Sequence, residues 1–135
     1  MEPTSSRQVY VRAGNREQQN RPAKKERRER SIDPGEAICC LACGAVITVK
    51  EQKIQVAGAH SHTFFNPLGI VFEVGCFRQA PGCRAVGGPS AEFSWFPGYL
   101  WRVVLCHRCR IHLGWMFATD GDVFFGLILK NLLGV

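Results

Sequence analysis

The sequence predicts an all-β domain of antiparallel hairpins behind a disordered basic tail. Three features of the chain point there. From residue 36 onward, short β-branched or aromatic runs alternate with Gly, Pro and Asn. No window of a dozen residues keeps the apolar period of an amphipathic helix. Two Cys-x2-Cys motifs stand 62 residues apart, so a whole sheet must lie between them if they share one ion.

The tail comes first. Residues 1–34 hold nine basic groups and five acidic ones, and no large apolar residue lies between Val11 and Ser31. Such a segment cannot bury enough surface to offset its ordering entropy, so residues 1–34 are expected to be disordered. Asp33-Pro34-Gly35 is a turn signal and sets the expected domain at 35–135. The run KKERRER at 24–30 reads as a solvated arm, with a nuclear import signal as the alternative. Nucleic-acid binding is not expected, because the remainder has no basic stripe.

Strands are expected at AVITV (45–49), KIQVA (53–57), GIVFEV (69–74), WRVVL (101–105), LGWMFA (113–118) and VFFGLIL (123–129). Breaks are expected at Asn66-Pro67-Leu68-Gly69, Ala80-Pro81-Gly82, Gly87-Gly88-Pro89, Pro97-Gly98 and Asp120-Gly121-Asp122. A short helix near 126–133 is a weak alternative at the end of the chain. The longest apolar candidate, Val123–Val135, contains Lys130 and is too short for a membrane span. The first twenty residues lack an apolar signal segment, so a cytoplasmic or nuclear protein is expected, with no membrane partner.

The motifs Cys40-Leu41-Ala42-Cys43 and Cys106-His107-Arg108-Cys109 are candidate metal knuckles. Each turn aims two thiolates at one cation, and two turns complete a tetrahedron. Four thiolates without an oxygen donor favour zinc in a structural role. His107 is an alternative donor, more simply read as facing solvent. Cys39 reads as a packed thiol. Cys76 and Cys83 flank FRQAPG and are either two independent thiols or a loop-closing disulfide. No thiol shows the nearby base that nucleophilic catalysis needs, so no enzyme is expected.

All three tryptophans, Trp95, Trp101 and Trp115, fall within 21 residues. Pro97-Gly98 permits a bend between the first two, and Trp115 follows the second knuckle closely. Their faces either fill the core of a small β domain or form a box for a flat or cationic ligand. Glu92 is the nearby carboxylate that a cation would want.

The strings Cys-x2-Cys-Gly, Asn66-Pro67-x-Gly69, Pro89-Ser90-x-Glu92-x-Ser94-Trp95-Phe96-Pro97-Gly98-Tyr99-x-Trp101 and Cys106-x2-Cys109-x2-His112-x-Gly114-Trp115-x-Phe117 together resemble the CULT domain, the thalidomide-binding domain of cereblon. The resemblance covers about residues 39–133. It implies a β-tent, two antiparallel sheets pinned by zinc. It implies an aromatic cage of Trp95, Trp101 and Trp115 with Phe117 at its base, for a cyclic imide such as glutarimide or a uridine-like ring, perhaps carried on a modified protein C-terminus. The main chain of Phe93 would meet the imide, the Trp95 indole N–H would donate to a ligand carbonyl, and Asn66 would lie on a hairpin covering the cage. Leu68, Phe72 and Phe93 stand where the vertebrate family member has histidines; the two hairpin changes, Leu68 and Phe72, remove polar groups from the rim, while Phe93 is asked to bind only through its main chain.

The Lon-like domain and ligase-adaptor segment of cereblon have no counterpart in these 135 residues. The expected function is thus a binding module, by itself or as the recognition part of a ubiquitin-ligase receptor. The alternative is a structural domain of the Yippee or Mis18 kind with the tryptophans as core. The fold also resembles methionine-R-sulfoxide reductases, but no cysteine follows Cys109 to serve their chemistry.

Overall fold

The computed structural model describes residues 35–135; the tail over 1–34, with its basic run, lies outside the described residues. Among the described residues, nine strands make two antiparallel sheets. The small sheet has the order β2-β1-β9, from Val46–Val49, Ala37–Cys40 and Leu132–Leu133. The large sheet has the order β3-β4-β8-β7-β6-β5. Its strands are β3 (Ser61–Phe65), β4 (Val71–Phe77), β5 (Cys83–Ser90), β6 (Leu100–Cys106), β7 (His112–Thr119) and β8 (Asp122–Ile128). This is the two-sheet all-β architecture expected from the sequence.

Alternation along the strands separates two cores. Successive residues of a strand face opposite sides. On β8, Phe125 and Leu127 join Ile38, Ile47, Phe77, Val104 and Leu113 in one cluster, where the small sheet packs. Phe124 joins Cys76, Phe96 and Phe117 in a second cluster, against which all three tryptophans pack. A bulge in β7 decides which side Trp115 takes. Val104 pairs with Gly114 and Leu105 with His112, so Leu113 is the extra residue. Leu113 and Met116 then serve the first core, while Trp115 and Phe117 face the second. An extra residue re-aims every side chain beyond it in this way.

Several expected elements differ. KIQVA is not a strand: Lys50–Gln52 form a single 3-10 turn, and only isolated bridges follow, at Lys53 and Val56. SHTFF takes that edge of β4 instead, pairing from Ser61↔Gly75 to Phe65↔Val71. The helix considered at 126–133 reduces to a 3-10 turn at Leu129–Asn131 between β8 and β9. Gly87-Gly88-Pro89 does not interrupt β5. It forms an irregularity between Val86 and Ser90. An edge strand tolerates a proline there, since its N–H side needs no partner.

Candidate functional site

The two knuckles are built alike. Cys40 donates its amide N–H to Ala45 O and its carbonyl accepts from Gly44 N; Cys106 donates to Ile111 O and accepts from Arg110 N. The residue after each knuckle has a left-handed backbone, φ +79° at Gly44 and +69° at Arg110. These turns end β1 and β6 with their thiols converging. The four sulfurs of Cys40, Cys43, Cys106 and Cys109 lie within 4.8 Å of one another. Cys40 and Cys109 are 3.6 Å apart, as are Cys43 and Cys106. A tetrahedral ion bonded to four sulfurs at about 2.3 Å requires edges of about 3.8 Å, so the donor set fits a metal.

Electrostatics support that fit. Burial pushes the Cys40 thiol up to about 12. Burial acts on Cys43 in the same direction, but the Ala45 amide, Cys106 and Arg108 outweigh it and hold that thiol at about 6. Four thiols this close cannot all ionise unless a cation neutralises them. The Arg108 amide donates to the Cys106 sulfur and its guanidinium to the Cys43 carbonyl, which ties one knuckle to the other. His107 is exposed and stands outside the sulfur cluster. Cys39, Cys76 and Cys83 are free thiols. Cys76 is buried in the second core, and Cys83 sits opposite Cys106 on neighbouring strands.

The tryptophans sit on the face carrying the second core. Trp95 and Trp115 touch edge to face, with centroids 4.7 Å apart. Trp101 lies on β6 opposite Phe117, and among the described residues no ring stacks on it. Its indole N–H donates to the Glu92 carbonyl at 2.8 Å. Phe117 is fully buried between Phe96 and Phe124, beneath the indoles. Phe93 is 70% exposed with φ +54°. Asn66 sits in the β3–β4 turn, where its Oδ1 accepts from the Leu68 and Ile70 amides. The Trp95 indole N–H donates to the Phe65 carbonyl at 3.1 Å, so here its acceptor is the chain itself. An open groove of about 260 Å³ runs between this turn and the preceding loop of Trp95, lined by Phe65, Asn66, Pro67, Phe93, Ser94 and Trp95.

Three further rings belong to this cluster: Phe72, which the resemblance put on the rim, and Phe64 and His112, which sequence reasoning did not place there. Phe64 stacks on Trp95 at 4.7 Å. Phe72 and His112 pack edge-on against Trp115 at 5.2 and 4.8 Å. A signal for Phe64 exists: it and Phe72 lie equally far from Leu68, the middle of the Asn66–Ile70 turn, so a hairpin there makes them cross-strand partners.

Two antiparallel sheets meeting at a four-thiol centre, with an indole cluster on the large sheet, define a β-tent domain. No protein-family model matches the chain. Curated relatives do. The chain is 35% identical over 105 residues to cereblon of Gallus gallus, covering 72% of this chain and 23% of that protein. It is 34% identical over 110 residues to cereblon of Danio rerio, covering 76% and 25%. It is 50% identical over 90 residues to cereblon of Drosophila simulans, covering 63% and 15%. The fold, the thiol centre and these similarities are those of a cereblon-type domain. The chain spans about a quarter or less of the length of these relatives. No helix among the described residues is long and apolar enough to cross a membrane.

Proposed function

We propose that the domain is a binding module for a flat cyclic imide or a uridine-like ring, presented free or at a modified protein C-terminus, with a structural zinc ion at the four-thiol centre. The observation that carries this reading is that all three indoles pack against one core, with Trp95 lining an open groove between its own loop and the β3–β4 turn. Such a site suits a neutral ring with an N–H between two carbonyls, which needs apolar faces and in-plane hydrogen bonds. Trp101 and Trp115 would wall the ring, Phe117 would support them from below, and the Trp95 N–H would meet one ligand carbonyl. Phe93, with its left-handed backbone, lines the groove, and Asn66 shapes the hairpin turn that borders it. Glu92 would serve through its carbonyl, which holds Trp101, rather than as a counter-ion.

Zinc supplies a tetrahedral cross-link here, and no residue of the cluster pairs a nucleophile with a base, so the proposed activity is binding rather than catalysis. Recognition of substrates within a ubiquitin-ligase receptor is the larger role this reading supports.

Titration with glutarimide or uridine is expected to quench tryptophan fluorescence, and Trp101→Ala to fold and lose at least 10-fold in affinity, about 1.4 kcal/mol or more. Equal quenching by a folded Trp101→Ala protein rejects the reading. The direct packing of Trp95 on Trp115 favours a second one, a structural domain of the Yippee or Mis18 kind whose indoles are core. In that case no ring would bind.

A further inference from the structure

The small sheet is apolar on both faces. An antiparallel sheet that covers a core on one side usually alternates, apolar inward and polar outward. Here the inward residues Ile38, Cys40, Ile47 and Leu132 belong to the first core. The outward row across the three strands is Val46, Cys39 and Leu133, which are cross-strand partners. Ala37 and Val49 form the next pair on the same side. None of these five side chains carries a charge, a hydroxyl or an amide.

A bulge makes this face. The register slips between Ile38 and Cys39, from Thr48 to Val46, so Ile47 is the extra residue on β2. Ile47 and Thr48 both turn inward, and Val46 and Val49 both stay outside. Val46 is 42% exposed and Leu133 50%. Leu41 and Val135, which follow β1 and β9, are exposed as well. Contiguous exposed apolar surface of this kind marks an interaction site rather than a solvated face.

The relief of the face fits a second copy of the same chain. β1 carries only the small Ala37 and Cys39, between the Val46 and Val49 ridge of β2 and Leu133 of β9. A two-fold axis parallel to the strands, between β1 and β2, lays the valine ridge of each copy in the β1 furrow of the other. One patch thus meets its own image, and an uncharged patch does so without repulsion. Charge at the end of the sheet agrees with this axis. Glu36 and Lys50 are exposed there, joined by a hydrogen bond from the Lys50 amide to the Glu36 carbonyl. The axis sets Glu36 beside the partner subunit's Lys50, opposite in charge.

We infer that the outer face of the small sheet is a self-association surface that pairs two copies of this chain face to face. The indoles pack on the other core, so the pairing does not use the proposed ring site. Three strands about 4.8 Å apart and about 14 Å long make the face roughly 14 Å on a side, short of the about 800 Å² that a stable complex buries on each partner. The dimer is therefore a reversible one that forms at high concentration.

Sedimentation equilibrium of the full chain, purified with zinc, tests this. The apparent mass is expected to move from monomer toward dimer between about 10 μM and about 500 μM. Val46→Lys places an ammonium group from each copy in the interface and is expected to weaken pairing at least 10-fold. Val46→Thr keeps the branched shape, should weaken pairing several-fold, and stands in if Val46→Lys loses its circular dichroism. Val123→Lys alters an equally exposed valine of the large sheet, 42%, and should pair like the parent. A chain that stays monomeric at about 500 μM overturns the inference, and a face covered by a different protein gives that same result. A dimer that both Val46 variants leave unchanged, or that Val123→Lys weakens equally, overturns it too.

Discussion

Tyr99 shows how single side chains hold the tryptophan loop. Its hydroxyl donates to Asp122 Oδ2 at 2.7 Å, while the Arg78 guanidinium bonds the other carboxylate oxygen and the Val123 carbonyl. The ring packs edge-on against Phe124, next to the buried Phe96 that anchors the same loop. Donation to a carboxylate lifts the Tyr99 phenol above its ordinary value, with burial adding to the rise and Arg78 opposing it. The same two bonds, Tyr99 first, hold the Asp122 carboxyl below its ordinary value. Because the folded phenol has the higher pKa, its contribution to stability is full below pH ~10 and is lost as pH rises through the folded value. The sequence has two tyrosines. In a Tyr10→Phe background, phenolate absorbance therefore reports Tyr99 alone, and its midpoint is expected above that of free tyrosine. Asp122→Asn should move the midpoint down by removing the charged acceptor. Equal midpoints in the two proteins would show that this bond does not hold the loop in solution.

Among the elements, β7 matters most because its bulge sends Trp115 to the indole side. Gly114 permits the bulge through its backbone and its lack of a side chain. Its φ is +151°, and a Cβ would lie 2.1 Å from the Gly126 carbonyl oxygen on β8. Gly114→Ala is therefore expected to cost about 3 kcal/mol or more, read by urea denaturation. Gly121→Ala, in a turn where a Cβ meets nothing within 4 Å, should fall within about 0.5 kcal/mol of the parent. Similar midpoints for the two variants would remove steric contact as the cause.

The strands flanking the indoles were legible because β-branched and aromatic runs such as WRVVL alternate faces. The thiol centre was legible because its ligands come in local pairs, which the knuckle backbone bonds then bring into register. β3 was not, because SHTFF looks polar; its selection depends on the edge that β4 offers and on half-burying His62 and Phe64. KIQVA looks like a strand but loses that edge to β3, keeping only Ile54 and Val56 against the second core. The pairing of Phe64 with Phe72 follows from the local hairpin. The bulge at Leu113 depends on the β6–β7 register, and the landing of both rings on the indoles depends on Trp95 and Trp115 arriving from later in the chain; no local pattern announces either.

On the scale of the whole domain, the question is what joins a small sheet to a large one. The strands of the small sheet are 4, 4 and 2 residues long, too short to persist without support. Their support is the first core and the thiol centre, where Cys40 and Cys43 come from the small-sheet side and Cys106 and Cys109 from the β6–β7 turn. Structural zinc sites contribute about 10–16 kcal/mol in small peptides, comparable to the whole stability of about 5–15 kcal/mol typical of a domain. Without a cation, buried thiols stay protonated or repel one another, and the apex that joins the sheets loses its cross-link. The purified protein is accordingly expected to carry one equivalent of zinc by elemental analysis. Protons compete for the thiolates, so zinc affinity should fall as pH falls. A strong chelator at neutral pH should abolish the near-ultraviolet circular dichroism of the tryptophans, and zinc should restore it. Cys109→Ser, which alters the one exposed ligand, should lower zinc affinity at least 10-fold while the other three thiols still bind. A chelated protein with an unchanged tryptophan signal and an unchanged urea midpoint would show that the first core alone holds the two sheets together.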